Sequence, residues 1–222
     1  MADASIEVRK RPVQARSRAR VDAILDAARD IISDVGSDGM KMNALAQQAG
    51  VPIGTVYQFF PNKSAVIHTL VQTTLESLSD ALRDQFKDAA SVEDVAERMG
   101  TAIRNYCRYL CDEPVLSDIL SSTQGDRNLR DIDRQDSLRN GKMLFDVVAS
   151  FIADTEHEAL NVMCFRVVHL TGSLARLCST IDSKTATMMQ DQFIKSAQHD
   201  LKSFRKAGLN PVNPVKSGTP PA

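Results

Sequence analysis

Ala49-Gly50-Val51-Pro52-Ile53-Gly54-Thr55-Val56-Tyr57-Gln58-Phe59-Phe60-Pro61-Asn62-Lys63 is a tight turn followed by a short helix, and it decides how the rest of the chain reads. Gly50 can take positive φ without steric cost, which lets the chain reverse. Val51 can then pack under the turn while the next helix projects outward. On that helix Val56 and Phe60 are four apart and suit an inner face. Ile53, Thr55, Tyr57, Gln58 and Phe59 are left for the remaining surface, and Gly54 lets the backbone approach a neighbour closely. A helix of poor intrinsic propensity with an exposed aromatic is costly to keep unless that face meets something.

Working outward, apolar residues recur at threes and fours, and no useful length alternates with period two. Val21, Ile24, Leu25, Ala28, Ile31, Ile32 and Val35 form one face of a first helix, which Gly36 and Gly39 break. Met42, Leu45, Ala46 and Ala49 give a short second helix closed by Gly50, and Pro52 suits the first turn of the third. Three short helices with a tight Gly turn between the last two form a helix-turn-helix layout. After the Pro61-Asn62 turn, Lys63 opens a long fourth helix carrying Ile67, Leu70, Val71, Leu75, Leu78 and Leu82.

Beyond it, Ser91 is a candidate N-cap, with Glu93 and Asp94 in the first turn where the helix dipole favours acids. Pro114 restarts the chain for a short helix through Leu120, and a polar helical stretch follows Gly125-Asp126. Thr155-Glu156-His157-Glu158 reads as a capping box, opening a helix whose Leu160, Met163, Val167, Leu170, Leu174, Leu177 and Ile181 make a near-heptad seam. Met189, Phe193, Ala197, Leu201 and Phe204 mark a last helix that Gly208 ends. The expected fold is all-α: a flexible basic arm over 1–13, a helix-turn-helix domain over 14–62, a larger helical domain over 63–208, and a disordered proline-containing tail over 209–222.

Hydrophobic residues make up 43% of the 222, enough for a buried core, and with 5% aromatics and no Trp that core is mainly aliphatic. The formal net charge of −1 hides an asymmetry. Arg9, Lys10, Arg11, Arg16, Arg18 and Arg20 come without an intervening acid; setting these six aside leaves 21 basic against 28 acidic residues, a net of −7. A basic arm on an acidic body fits a polyanion partner at one end; its plainer reading is a solvated terminus. No stretch reaches the ~18 apolar residues of a membrane span, and no apolar segment follows the basic N-terminus as in a signal peptide. Cys107, Cys111, Cys164 and Cys178 fall in amphipathic patterns and read as reduced core thiols of a cytoplasmic protein. Cys107 and Cys111, four apart, could hold a metal or sense oxidants only with a further ligand, and no His stands at helical spacing from them.

Ala27-Ala28, Leu45-Ala46, Ala49-Gly50-Val51 and the run from Gly54 to Lys63 resemble the DNA-binding domain of the tetracycline-repressor (TetR) family, as do Gln14-Ala15-Arg16-Ser17-Arg18 and Ala23-Ile24-Leu25 upstream. The resemblance covers roughly Gln14 to Leu78 and lies in several motifs at matching order and spacing. It implies a transcription regulator, expected to be a repressor, that binds a palindromic operator in double-stranded DNA as a homodimer and is released by a small-molecule effector. By the same resemblance Thr55 and Tyr57 are phosphate binders and Lys63 meets a phosphate at the start of helix four. Gln58 becomes the base reader, since its amide can pair bidentately with adenine, and Ile53 a contact for a thymine methyl. Lys41 and Asn43, opening helix two, would hold the DNA backbone. Family members often carry Ser or Thr where this chain has Lys41 and Pro52; the first exchange adds charge, and the second removes a capping hydroxyl.

In the larger domain the seam from Glu156 to Ile181 and the last helix would form a four-helix interface between subunits, drawing on Val167, Leu170, Gly172, Leu174, Ala175, Phe193, Ala197 and Leu201. The alternative use of the seam is an internal core, and different faces can serve both. The middle helices would enclose a mostly apolar pocket with Arg104, Tyr106, Tyr109, Arg166 and His169 as candidate polar groups, although each such residue is more often a partly buried structural one. The rival functions are a DNA-binding protein without ligand control and a helical enzyme. No P-loop, nucleophile elbow, dinucleotide fingerprint or His-Glu-x-x-His occurs, so no catalytic residue, metal or cofactor is expected.

Overall fold

The computed structural model describes residues 15–122 and 126–206. The arm over 1–13, the tail over 209–222 and Gly208 lie outside the described residues. The order is α1 (Ala15–Gly39), α2 (Met42–Gln48), α3 (Ile53–Phe59), α4 (Lys63–Phe86), α5 (Val92–Asp112), α6 (Pro114–Ser122), α7 (Arg127–Val148), two 3₁₀ turns (Ala149–Phe151 and Asp154–Glu156), α8 (His157–Cys178) and α9 (Ser183–Ser203). No strand occurs among the described residues; one isolated bridge pairs Ile152 with Lys206.

Side chains start most of the later helices, each satisfying N–H groups that have no partner within the helix. Asn62 Oδ1 accepts from Ala65 N at 2.9 Å and opens α4. Ser91 Oγ accepts from Asp94 N at 3.1 Å, as its sequence context predicts, and Asp94 reaches back to Ala90 N at 2.9 Å. Asp126 caps α7 through Asn128 N and Leu129 N, and Asp182 caps α9 through Thr185 N. The expected capping box at Thr155 does not form. The chain enters α8 from the 3₁₀ turn Asp154–Glu156, and no side chain caps it. α1 begins at Ala15, earlier than its apolar stripe, and breaks at Gly36, whose φ of 74° favours glycine.

Two packed regions share one continuous core. Ile24, Leu25, Ala28 and Ile32 of α1, Leu45 and Ala46 of α2, Val56 and Phe59 of α3, and Phe60 and Val66 enclose the N-terminal bundle. α4 runs from this bundle into the second region, where α5 lies against α8 and α9, and α7 lies along α8. α7 and α8 approach so closely at Gly141 that a Cβ there would stand 2.8 Å from Phe165 Cα. α6 bridges the two regions: it packs on α1, and its Ser117 Oγ meets Ser179 Oγ, just past α8, at 2.9 Å. No helix among the described residues is long and apolar enough to cross a membrane.

Candidate functional site

The turn between α2 and α3 is built as its glycine demands. Gly50 has φ 64°, Gly50 N donates to Gln47 O at 3.2 Å, and Val51 N donates to Ala46 O at 3.1 Å. These two bonds close α2 with a left-handed residue and send α3 off at an angle. α3 then presents Ile53, Gly54, Tyr57 and Gln58 to solvent, with Ile53 37% and Tyr57 45% exposed, while Thr55 is half-buried. Lys41 and Asn43 are exposed at the start of α2. The result is a convex, hydrogen-bonding face on a short rigid helix, of a size that suits a DNA groove.

Two expected members of that face are not on it. Phe59 is 4% exposed and belongs to the core. It lies three residues after Val56, and in an α-helix such a residue shares a face with its partner. Lys63 is turned toward α1: its Nζ donates to Ser37 O at 3.2 Å and Asp38 O at 3.1 Å. There it offsets the negative end of α1 rather than standing free at the start of α4. Arg18 and Arg20 are exposed on α1; Arg9, Lys10 and Arg11 lie outside the described residues.

A cavity of about 270 Å³ opens between α4, α5, α7 and α8. Leu78, Leu82, Phe86, Met99, Ile103, Leu144 and Val167 make its apolar wall. Tyr106 and Tyr109 line it as expected. Burial first, and then the charges of Asp133 and Asp136, push the Tyr106 phenol well above its usual value, so it stays a protonated donor. Arg104 and Arg166 do not reach the cavity. Both are exposed and bind acids on α9, Arg104 to Asp191 and Arg166 to Asp200, each at 2.5 Å. Long charged side chains beside an apolar stripe carry their heads to water. His169 stands behind the wall, its Nδ1 3.0 Å from Ser137 Oγ and its ring stacked on Phe165.

The polar wall comes instead from α7, through Asp133, Asp136, Ser137 and Asn140. Their spacing of threes and fours, ending on buried Leu144, was the available signal inside a helix that reads as merely polar. Asp136 is well partnered: its carboxylate accepts from Arg139, Ser79 Oγ and Asn140 Nδ2. Burial nonetheless holds Asp136 above the usual carboxylate range, outweighing Arg139 and Ser79.

α8 and α9 carry an outward face that differs from the expected interface. Val167, Ala175, Ala197 and Leu201 are each under 4% exposed and belong to the protomer's own core. Leu174 and Phe193 are half-buried against that core, and Gly172 lines the cavity. Of the expected set, Leu170 is outward at 44% exposed. Val162 at 62% and Leu177 at 44% on α8, and Met188 at 57% on α9, are likewise exposed apolar side chains, uncovered among the described residues. The heptad seam splits because its first half faces inward and its second half turns out. Among the thiols, Cys107, Cys164 and Cys178 are buried and Cys111 is exposed. Burial pushes Cys107 and Cys164 up to about 12.

A projecting helix-turn-helix joined by a continuous helix to a larger, cavity-bearing helical region is the architecture of a helical DNA-binding regulator. The comparisons agree. Residues 24–70 match the family described as "Bacterial regulatory proteins, tetR family", and residues 93–204 match "Tetracyclin repressor-like, C-terminal domain". The chain belongs to the TetR family of transcription regulators. It is 27% identical over 79 residues to the fatty acid metabolism regulator protein of Bacillus subtilis, covering 36% of this chain and 41% of that protein. It is 30% identical over 106 residues to the transcriptional repressor KstR of Mycobacterium tuberculosis, covering 47% of this chain and 46% of that one. The match thus spans less than half the length of these two relatives. Among solved structures, a TetR-family regulator from Pectobacterium atrosepticum superposes with a TM-score of 0.63 at 16% identity, covering 90% of this chain and 99% of that one. At that identity the likeness speaks for the fold alone.

Proposed function

We propose that this protein is a one-component repressor that binds an inverted-repeat operator as a homodimer and leaves it when a small molecule fills the cavity between α4, α5, α7 and α8. The observation that carries this reading is the combination, in one chain, of the outward face of α3 with that cavity, joined through α4 and through α6 on α1. The KstR relatives are named repressors, which supports repression over activation.

Within this reading, residues 14–62 are the reader and 63–208 the effector and pairing region, with the basic arm of 1–13 adding phosphate contacts in the cytoplasm. Gln58 reads a base edge, Ile53 touches a thymine methyl, Gly54 permits close approach, and Thr55, Tyr57, Lys41 and Asn43 hold phosphates. Lys63 acts by fixing the end of α1 against α4. Val162, Leu170 and Leu177 of α8 with Met188 of α9 form the pairing surface, placing two α3 helices about one DNA turn or a small multiple apart.

The test is selection of bound sequences from random double-stranded DNA, followed by titration of the selected site. An inverted repeat bound by two protomers supports the proposal. Enrichment of no sequence, or of a single half-site bound by one protomer, overturns it.

A further inference from the structure

An unfinished pair of charges stands at the edge of the cavity: Asp133 and Gly172 line it, and Arg176 lies against both. Arg176 Nη1 is buried and, among the described residues, has no hydrogen-bond partner. The nearest opposite charge is Asp133 Oδ1 at 3.5 Å, too far for a good hydrogen bond, and both side chains are largely buried, at 16% and 20% exposure. Arg176 Nη2 has a partner, donating to Ser173 Oγ at 3.2 Å. Asp136, by contrast, already accepts three hydrogen bonds. The unfinished pair sits beside Gly172, which lines the cavity. A Cβ there would stand 3.5 Å from Arg176 Nη1 and 4.0 Å from Asp133 Oδ1.

A buried donor without a partner beside an acceptor with spare capacity is completed best by a group that both accepts and donates. A hydroxyl does this. A carboxylate only accepts and would face Asp133; an ammonium only donates and would face Arg176. Outside the polar strip of α7 the lining is mostly aliphatic and aromatic, so the greater part of a ligand is apolar. Resting on the reading of this cavity as the ligand site, we propose that it selects uncharged, mainly apolar molecules bearing a hydroxyl, which bridges Arg176 and Asp133. The protonated Tyr106 adds a donor on the same side.

The test uses the full chain and three probes of equal body: 1-octanol, octanoate and octylammonium, each titrated by calorimetry and by thermal shift. Octanol is expected to bind roughly tenfold or more tightly than either ion. Gly172→Ala places a methyl over the pair at ordinary contact distance and should remove most of octanol's advantage while the protein stays folded. Asp133→Asn leaves Arg176 uncompensated and should turn the preference toward octanoate. If an ion binds the unaltered protein as tightly as octanol, the hydroxyl proposal falls while the cavity remains a ligand site. If octanol is preferred but both variants leave that preference intact, the hydroxyl docks elsewhere and the proposal is equally overturned. If none of the three probes binds, the reading of the cavity fails and takes this proposal with it.

Discussion

The backbone N–H of Ser37, just past the break in α1, donates to the Asp118 carboxylate of α6 at 2.9 Å. Ser37 in turn lends its carbonyl to Lys63 at the start of α4. The end of α1 is therefore held on one side by the helix that leaves the reader and on the other by a helix packed toward α8. The position of α6 is thereby tied to the bundle that carries α3.

Asp118→Ala should leave operator affinity and ligand affinity near their original values but weaken their coupling. Coupling between two sites is a difference in free energy between states, commonly 5–150-fold in affinity. Loss of this link should reduce it by roughly fivefold or more. Operator affinity measured with and without a cavity ligand found by thermal-shift screening gives the number. Unchanged coupling would show that the signal travels through α4 alone.

Substitutions on α3 should separate into three kinds. Gln58→Ala should relax preference at one base position by about 1–3 kcal/mol. Tyr57→Phe, which removes a hydroxyl but keeps the ring, should weaken binding to all sequences alike, because phosphates carry no sequence code. Phe59→Ala should instead unfold the reader, at about 3–5 kcal/mol for a buried phenylalanine. Binding-site selection distinguishes the first two, and chemical denaturation identifies the third.

Leu170→Asp should give folded monomers. The side chain is 44% exposed in the protomer, so a carboxylate there meets water when the subunit is alone and an apolar seam when it is paired. Light scattering should report half the mass, with an unchanged circular dichroism spectrum and operator affinity lowered far more than affinity for random DNA. Leu201→Ala, at 1% exposure, should lower stability by about 2–5 kcal/mol and leave the subunits paired. The reverse pattern would move the interface elsewhere.

Thiol reactivity should divide along burial. Near neutral pH the native protein should react with a thiol reagent at Cys111 first, and at Cys107 and Cys164 on the timescale of unfolding, since burial holds their thiolates out of reach at about 12. Denaturant should release all four. Rapid native labelling of Cys107 would show that α5 opens away from α8.

The sequence carried the helices and the turn because periodicity and a positive-φ glycine act locally. It was silent where a residue's destination depends on the neighbouring helix. Val56 and Phe60, four apart, suffice to define an inner face and leave Phe59 outward by pattern, yet Val56, Phe59 and Phe60 are all buried. Arg104 and Arg166 stand beside apolar stripes and still reach solvent. The polar wall at Asp133 and Asn140 lay inside a helix whose charge suggested a solvated surface. The seam of α8 was visible as a repeat, but which half faces inward is set by α5 and α7, and no pattern along α8 alone contains that information.

One helix supplies both a wall of the cavity, through Val167, Val168 and Thr171, and the outward strip of Val162, Leu170 and Leu177. In the proposed function, chemical taste and subunit pairing would thus fall on opposite sides of the same rod. Anyone converting this protein into a sensor for a new compound would do best to vary Leu78, Leu82, Met99, Ile103 and Asn140, which touch the cavity from α4, α5 and α7. Libraries that include α8 would select for altered dimers as readily as for altered ligands. Natural drift would face the same bind, so divergence in what such a regulator senses should collect on α4, α5 and α7 rather than on α8.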